Sequence, residues 1–248
     1  MRLVVRLVLA LCLPLLLAAS SASAGIDLTW NGCSPGAGVK TLDFTCSDPG
    51  FQAYLVGSFN LPADMDSFSS LEVLIDVSAE TGALPDFWDF SAVPPGCNAS
   101  GGMTRQLALP MGCGLVDPWG ADGSEGDGTY VYLSDYLGNP QRARLLMSLF
   151  RVSLDPIDLA AGADYFGFSL LVSTANATEA GGSCAGCPSG VVFVWNWAKI
   201  MSETRPELEV IAEGPAGRCV RANGATTTTC DAVPVRRSTW GMLKSLYR

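Results

Sequence analysis

The sequence predicts an all-β protein that folds as a two-sheet sandwich of jelly-roll type, with about ten strands and disulfide-clipped loops. Short runs in which apolar and polar residues alternate recur along the chain, as over residues 71–77, and turn residues separate them. The body carries no long apolar stripe with the 3.6-residue period of an amphipathic helix. Once the leader of 24 residues is removed, 224 of the 248 residues remain, which is enough to bury a substantial core. A barrel is the alternative architecture.

Strands are predicted wherever an alternating run lies between turn signals. In chain order the runs cover residues 26–30, 39–44, 54–59, 71–77, 105–109, 130–133, 141–154, 164–173, 191–200 and 207–213. The run at 141–154 also fits a helical turn, but its alternating apolar residues favour a strand. Residues 157–161 are predicted to form a short helical turn.

The most apolar part of the mature chain lies between residues 164 and 200. Two runs rich in aromatic and β-branched residues flank a small polar loop that carries Cys184 and Cys187. This pattern predicts two strands joined by a long hairpin connection. The residues expected where the two sheets meet are Phe166, Phe168, Leu170, Val172, Val192 and Val194.

The chain is expected to divide into a leader, one domain, a linker and a tail. Residues 1–24 have the basic start, short apolar run and Ala-Ser-Ala cleavage site of a secretory signal peptide. That run is shorter than the roughly 20 residues of a membrane span, so no span is expected after cleavage. The β-sandwich domain is expected over residues 25–213. Residues 214–235, rich in Thr and Gly, are expected to form a linker with one clipped loop.

Residues 236–248 form a basic, aromatic tail. Its charged residues are all basic, namely Arg236, Arg237, Lys244 and Arg248. Trp240, Leu243 and Tyr247 would share one face of a short helix capped by Ser238. The tail is therefore chemically different from the acidic body that precedes it.

The charge of the mature chain argues against two classes of partner. The sequence has 15 basic and 24 acidic residues, and the leader takes two of the basic ones, which leaves a net charge of −11. An acidic surface disfavours nucleic acid and anionic membranes as partners.

The sequence contains no histidine. This excludes Ser-His-Asp and Cys-His nucleophilic sites and zinc sites that use histidine ligands. It also removes the commonest general base near neutral pH. A non-catalytic role, structural or in binding a ligand or glycan, is therefore favoured.

Eight cysteines follow the leader, and an even number in an exported chain predicts disulfides. They fall as four close pairs, so the expected bridges are Cys33–Cys46, Cys97–Cys113, Cys184–Cys187 and Cys219–Cys230. Bridges between distant strands are the alternative. Cys184 and Cys187 have the Cys-x-x-Cys spacing of a redox pair, but no helix follows them, which favours a structural clip.

Two sets of acidic residues are candidate sites. Asp117, Asp122, Glu125 and Asp127 crowd a glycine-rich loop that could hold calcium, although the spacing differs from an EF-hand. The alternative for this loop is a solvated acidic surface. No other cofactor is expected.

The second set consists of Asp86, Trp88 and Asp89, which could bind a glycan because aromatic rings stack on sugars. Paired carboxylates here would fit a secreted carbohydrate-active hydrolase, which is the alternative function. Against both stands a simpler interpretation, in which Phe87, Trp88 and Phe90 cap one end of the core.

The ending TWGMLKSLYR resembles a terminus shared by many uncharacterised exported bacterial proteins. The body has segments similar to theirs, including IDLTWNGC, LVGSFNLP, LPDFWDF and the Cys-x-x-Cys loop. The resemblance implies an exported β-rich protein that is secreted or held at the cell surface. It also implies that the tail serves in sorting or in attachment to the cell surface or to secretion machinery, and it transfers no catalytic residue.

Overall fold

The structure is a computed structural model that describes residues 25–33, 38–92, 95–120, 122–153, 155, 157–204, 208–210 and 217–225. Within this part the chain forms twelve strands, three short 3-10 turns and no α-helix. The described residues accordingly contain no helix that is long and apolar enough to cross a membrane. The predicted leader and tail lie outside the described residues.

The strands follow the chain order and are numbered accordingly. They are β1 (Gly25–Trp30), β2 (Thr41–Leu42), β3 (Gln52–Asn60), β4 (Met65–Ala79), β5 (Met103–Gln106), β6 (Gly126–Leu133), β7 (Arg142–Arg151), β8 (Ile157–Leu159), β9 (Asp164–Ser173), β10 (Val191–Ser202), β11 (Leu208–Val210) and β12 (Cys219–Ala222). The 3-10 turns cover Asp86–Trp88, Tyr136–Gly138 and Thr178–Ala180.

These strands form two sheets that enclose one large apolar core, which confirms the predicted sandwich. The four-stranded sheet has the order β1-β3-β9-β5. The eight-stranded sheet has the order β2-β12-β10-β4-β7-β6, with β11 paired to β10 and β8 paired to β4. Among the pairs between these strands, only β2 and β12 run parallel. Antiparallel sheets of this kind leave one face for the core and one for the surface.

Aromatic rings fill the space between the sheets. Phe168 on β9 meets Trp195 on β10 with ring centroids 5.2 Å apart and nearly perpendicular planes. Trp30 contacts Phe193 in the same edge-to-face manner at 5.5 Å. Such pairs contribute about 0.5–1.5 kcal/mol beyond the area they bury. The prediction that Phe168 lies where the sheets meet is confirmed.

The predicted hairpin between β9 and β10 is wrong, although both strands are present. β9 pairs with β3 and β5, whereas β10 belongs to the other sheet and pairs with β4. The connection therefore crosses from one sheet to the other. An apolar run specifies a buried strand, but it does not specify the partner of that strand.

Val192 and Val194 were expected between the sheets, and this prediction is wrong. On β10 the residues that enter the main core are Val191, Phe193 and Trp195. Val192 and Val194 point to the opposite face and form a small separate cluster with Cys219 and Ala225. A shift of one residue exchanges the two faces of a strand, and a continuous apolar run gives no signal to choose between them.

Two smaller predictions need correction. Residues 157–159 form strand β8 instead of a helical turn, because Ile157 and Leu159 pair with the start of β4. Part of the predicted linker belongs to the domain, because β12 pairs with β10 along Cys219–Ala222. The favoured strand at 141–154 is confirmed as β7.

The disulfides join distant parts of the chain, so three of the expected pairs are wrong. The bridges are Cys33–Cys113, Cys46–Cys187 and Cys97–Cys184, with sequence separations of 80, 141 and 87 residues. The sandwich brings loops from distant segments together, so each of these cysteines meets a partner far along the chain. Cys219 is also disulfide-bonded. Cys230 lies outside the described residues, so the Cys219–Cys230 pair stays a prediction.

Candidate binding face

The residues predicted to bind a glycan do not form a surface platform. Trp88 is fully buried, and its ring packs against Phe44, Phe87 and Phe193 at centroid distances of 5.2, 5.1 and 5.8 Å. A ring enclosed in this way cannot stack on a sugar, so that role is wrong for Trp88. The interpretation of this segment as a cap of the core is confirmed.

The two carboxylates of that segment have different surroundings. Asp86 is exposed at the start of its 3-10 turn. The Oδ1 atom of Asp89 accepts hydrogen bonds from the backbone N–H and the hydroxyl of Ser91, at 3.0 and 2.6 Å. Asp89 therefore shapes the turn that follows it.

Trp119 organises the loop that was predicted to bind calcium. Its indole is fully buried, donates from Nε1 to the carbonyl of Gly167 at 2.9 Å and packs on Phe68. Asp117 Oδ1 accepts a hydrogen bond from the Trp119 backbone N–H at 2.9 Å. Burial raises the pKa of the Asp117 carboxyl. This loop is thus anchored to the core by an aromatic side chain.

The other acids of the loop have partners of their own. Glu125 forms an ion pair with Arg151, and Asp127 forms one with Arg105 at 3.0 Å. Asp122 accepts from the Ser124 backbone N–H at 2.9 Å. Nowhere in the described part of the chain do three or more acidic or cysteine side chains gather as a metal site would require. Calcium binding therefore stays a prediction, and the described residues offer no set of side chains to bind the ion.

The Cys-x-x-Cys loop fastens one end of the sandwich. Its two cysteines bridge to different loops, Cys184 to Cys97 and Cys187 to Cys46. Between them, the Ala185 carbonyl accepts the Phe87 backbone N–H at 2.9 Å. The loop therefore has the predicted structural role, with partners other than the predicted ones.

The stability of the protein is expected to fall when Tyr132 ionises. The Tyr132 hydroxyl is buried and donates to the Trp88 carbonyl at 2.6 Å, and burial and the nearby Asp89 charge raise its pKa well above the usual value. The neutral phenol therefore makes its full contribution to the free energy of unfolding below pH 10. As the pH rises further, this contribution decreases by up to about 1.4 kcal/mol per pH unit. Urea titrations of wild type and Tyr132→Phe between pH 8 and 11 measure it. Equal pH dependence in the two proteins would contradict the assignment.

An apolar row crosses the outer face of the eight-stranded sheet. Four residues on adjacent strands lie directly opposite one another in register, and we call them the outer row: Val131 on β6, Leu146 on β7, Leu74 on β4 and Trp197 on β10. Their neighbours along each strand, such as Val73 and Leu145, enter the main core. Since side chains alternate between the faces of a strand, the outer row points away from the core.

The outer row lies between two rows of different chemistry. On one side the register aligns Thr129, Ser148, Glu72 and Lys199. On the other side it aligns Leu133, Arg144, Asp76 and Val194. Leu74 is fully buried at the centre of the outer row, and the other three residues are partly exposed. The apolar strip thus has a polar row on one side, and on the other a row in which a buried ion pair lies between two apolar residues.

A buried ion pair supports this face. The Arg144 guanidinium donates to both oxygens of Asp76, at 2.6 and 2.9 Å, and the two side chains are only 4% and 3% exposed. Tyr136 covers the pair, because Arg144 lies 3.9 Å from the centre of its ring and donates to its hydroxyl. Leu137 follows with a left-handed backbone (φ 60°) and an 83% exposed side chain. Non-glycine residues in this conformation are uncommon and cost about 1–2 kcal/mol.

Replacing Asp76 with asparagine is expected to destabilise the protein by about 3 kcal/mol, because the Arg144 charge would stay buried without its counter-charge. Guanidinium denaturation at pH 7 measures the effect. The double variant Asp76→Leu, Arg144→Met is the control, since it removes both charges and is expected to recover most of the loss. If the Asp76→Asn protein is as stable as the wild type, the ion pair is hydrated and not buried.

Sequence reasoning did not identify the outer row, and a weak signal for it exists. Leu74 and Leu146 occupy outward positions on strands that otherwise follow the two-residue alternation. An apolar residue at an outward position looks like part of a core run until the face of each strand is known. Trp197 is further concealed by the irregularity between Trp195 and Trp197, which shifts the pairing by one residue.

Comparisons with known proteins find a likeness in fold. No protein-family model matches the sequence, and no curated protein matches it. Among solved structures, the fold is similar to a type II cohesin domain from the cellulosome of Acetivibrio cellulolyticus, with a TM-score of 0.36 and 8% sequence identity. The match covers 81% of this chain and 95% of that domain. At this distance the likeness assigns neither a partner nor an activity to the chain.

Proposed function

We propose that this protein is an exported, non-catalytic β-sandwich that binds another protein through the outer face of its eight-stranded sheet. The observation that carries the proposal is the outer row. The solvent face of an antiparallel sheet ordinarily carries polar residues at its outward positions. Here apolar side chains occupy four such positions in succession.

The dimensions and borders of the outer row fit a protein partner. Adjacent strands lie about 4.8 Å apart, so four strands give an apolar strip about 14 Å wide. Protein interfaces combine an apolar centre with a polar border, and tryptophan is enriched among the residues that dominate binding. Trp197 stands at one end of the strip, and Glu72 and Lys199 lie in the neighbouring row.

The setting of this activity is expected to be outside the cell. Bridges that join residues 80 to 141 positions apart are typical of proteins from oxidising compartments. The signal-peptide pattern at residues 1–24 and the basic tail at 236–248 support export followed by retention at the cell surface. A glycan ligand has less support, because Trp88 is buried.

Affinity capture from the envelope of the producing cells tests the proposal. Mature protein, residues 25–248, is compared with the double variant Leu146→Ser, Trp197→Ser and with Met111→Ser as a matched control. Met111 is fully exposed and apolar but lies on a loop away from this face. The double variant should lose binding by at least about tenfold, equivalent to 1.4 kcal/mol, while the control binds as the wild type does.

Two results would contradict the proposal. Capture that is equal in all three proteins would show that the outer face takes no part in binding. Binding to a glycan array, with loss in the double variant, would assign the face to carbohydrate. Melting temperatures within a few degrees of the wild type establish that each variant is folded.

A further inference from the structure

We infer that the chain's own C-terminal tail, residues 236–248, docks on the outer row. Docking there places the apolar residues of the tail against an apolar strip. Docking of the tail does not depend on the proposed function, since it concerns only two parts of one chain.

The first argument is where the tail leaves the domain. Val192, Val194, Cys219 and Ala225 form the small apolar cluster on the outer side of β10 and β12. Ala225 is the last described residue, and Cys219 is disulfide-bonded. The chain therefore continues from the same side of the sheet that carries the outer row. Trp197 is on β10, the strand directly next to β12.

The second argument is length. Twenty-three residues follow Ala225, and residues 226–235 separate it from the tail. An extended chain spans up to about 3.3–3.6 Å per residue, so this connection reaches roughly 35 Å. The outer row is only about 14 Å wide, because its four strands lie about 4.8 Å apart. The tail can therefore lie along the whole row.

The third argument is chemical complementarity. Trp240, Leu243 and Tyr247 follow the spacing of one helix face, which matches an apolar strip. The tail carries four cations and no acid, and all 24 acidic residues precede it. The acids nearest the strip already face cations, since Glu72 lies opposite Lys199 and Asp127 pairs with Arg105. The complementarity between the tail and the outer row therefore rests on apolar contact.

The turn at Tyr136–Gly138 lies over the Arg144 edge of this face. A helix of about 11 residues is about 16 Å long. That length is close to the width of the outer row. One short amphipathic segment is therefore enough to cover it.

Amine crosslinking of the intact mature protein tests the inference, because its only lysines are Lys40, Lys199 and Lys244. Lys199 lies on the outer face, one row from Trp197, whereas Lys40 pairs with Asp27 on β1 of the other sheet at 2.6 Å. A docked tail predicts an intramolecular Lys199–Lys244 crosslink in the monomer. Its yield should fall at least about fivefold in each of two double variants, one with Trp240→Ser and Leu243→Ser and the other with Leu146→Ser and Trp197→Ser. Both variants abolish docking and leave only the tether.

The variant Met111→Ser is the matched control and should give the wild-type yield. Equal yields in all variants would overturn the inference, because a tail held only by its tether would crosslink regardless of the face. A crosslink that joins isotopically labelled and unlabelled copies would also overturn it, in favour of exchange between molecules. Neither result bears on partner capture, which tests the proposed function separately.

Discussion

Replacing Cys46 and Cys187 with alanine is expected to lower the free energy of unfolding by about 4 kcal/mol in the chain-entropy model. Cys46 and Cys187 are 141 positions apart, but the bridges Cys33–Cys113 and Cys97–Cys184 shorten the loop that this bridge closes to about 30 residues. A local bridge between Cys184 and Cys187 would restrict only a few residues and contribute about 2 kcal/mol on the same scale. Denaturation of the oxidised protein, monitored by tryptophan fluorescence, measures the difference.

The control for this experiment is Ser183→Ala, an exposed position in the same loop. It is expected to change stability by less than about 0.5 kcal/mol. A peptide map under non-reducing conditions provides an independent check, since it should join Cys187 to Cys46 and Cys184 to Cys97. A peptide with Cys184 bonded to Cys187 would contradict the structure directly.

Phe168→Ala is expected to cost about 3–5 kcal/mol. The ring is fully buried between the sheets, against Trp195, and it also fills the space over Gly57. A Cβ atom built on Gly57 would come within 2.3 Å of that ring. Removing the ring therefore leaves a cavity over Gly57, which has no side chain to fill it. The thermal midpoint should fall because of this cavity.

Phe150→Ala is the matched control, because Phe150 lies on the outer face and is 42% exposed. Its loss should be within about 0.5 kcal/mol. Comparable losses at the two positions would show that Phe168 does not pack between the sheets.

The strands could be predicted because their pattern is local. Leu71, Val73, Ile75 and Val77 recur at every second position, and all four enter the core of the folded protein. The partners of the strands could not be predicted in this way. β9 and β10 are consecutive, apolar and separated by a turn-rich loop, yet they belong to different sheets. Pairing depends on contacts between distant segments, which no window of sequence contains.

The surroundings of the candidate site residues could not be predicted for a related reason. Trp88 and Trp119 lie in loops rich in acids and glycine, where an aromatic residue suggests a ligand contact. Both are buried, and Trp119 anchors its loop to the core. Conversely, Trp197 lies in an apolar strand where burial in the core is the natural expectation, and it is partly exposed on the outer face. Composition indicates which residues are apolar, whereas the face they occupy follows from register.

The three described disulfides also determine what a protease can do to this protein. Every peptide bond between residues 33 and 187 lies inside at least one of the loops closed by Cys33–Cys113, Cys46–Cys187 and Cys97–Cys184. All three loops contain the bonds between residues 97 and 113, a stretch that includes the fully exposed Met111. A single cut in this region would therefore release no fragment, because the two pieces stay covalently joined. Such a molecule can be nicked in a protease-rich environment and still keep its sandwich in place.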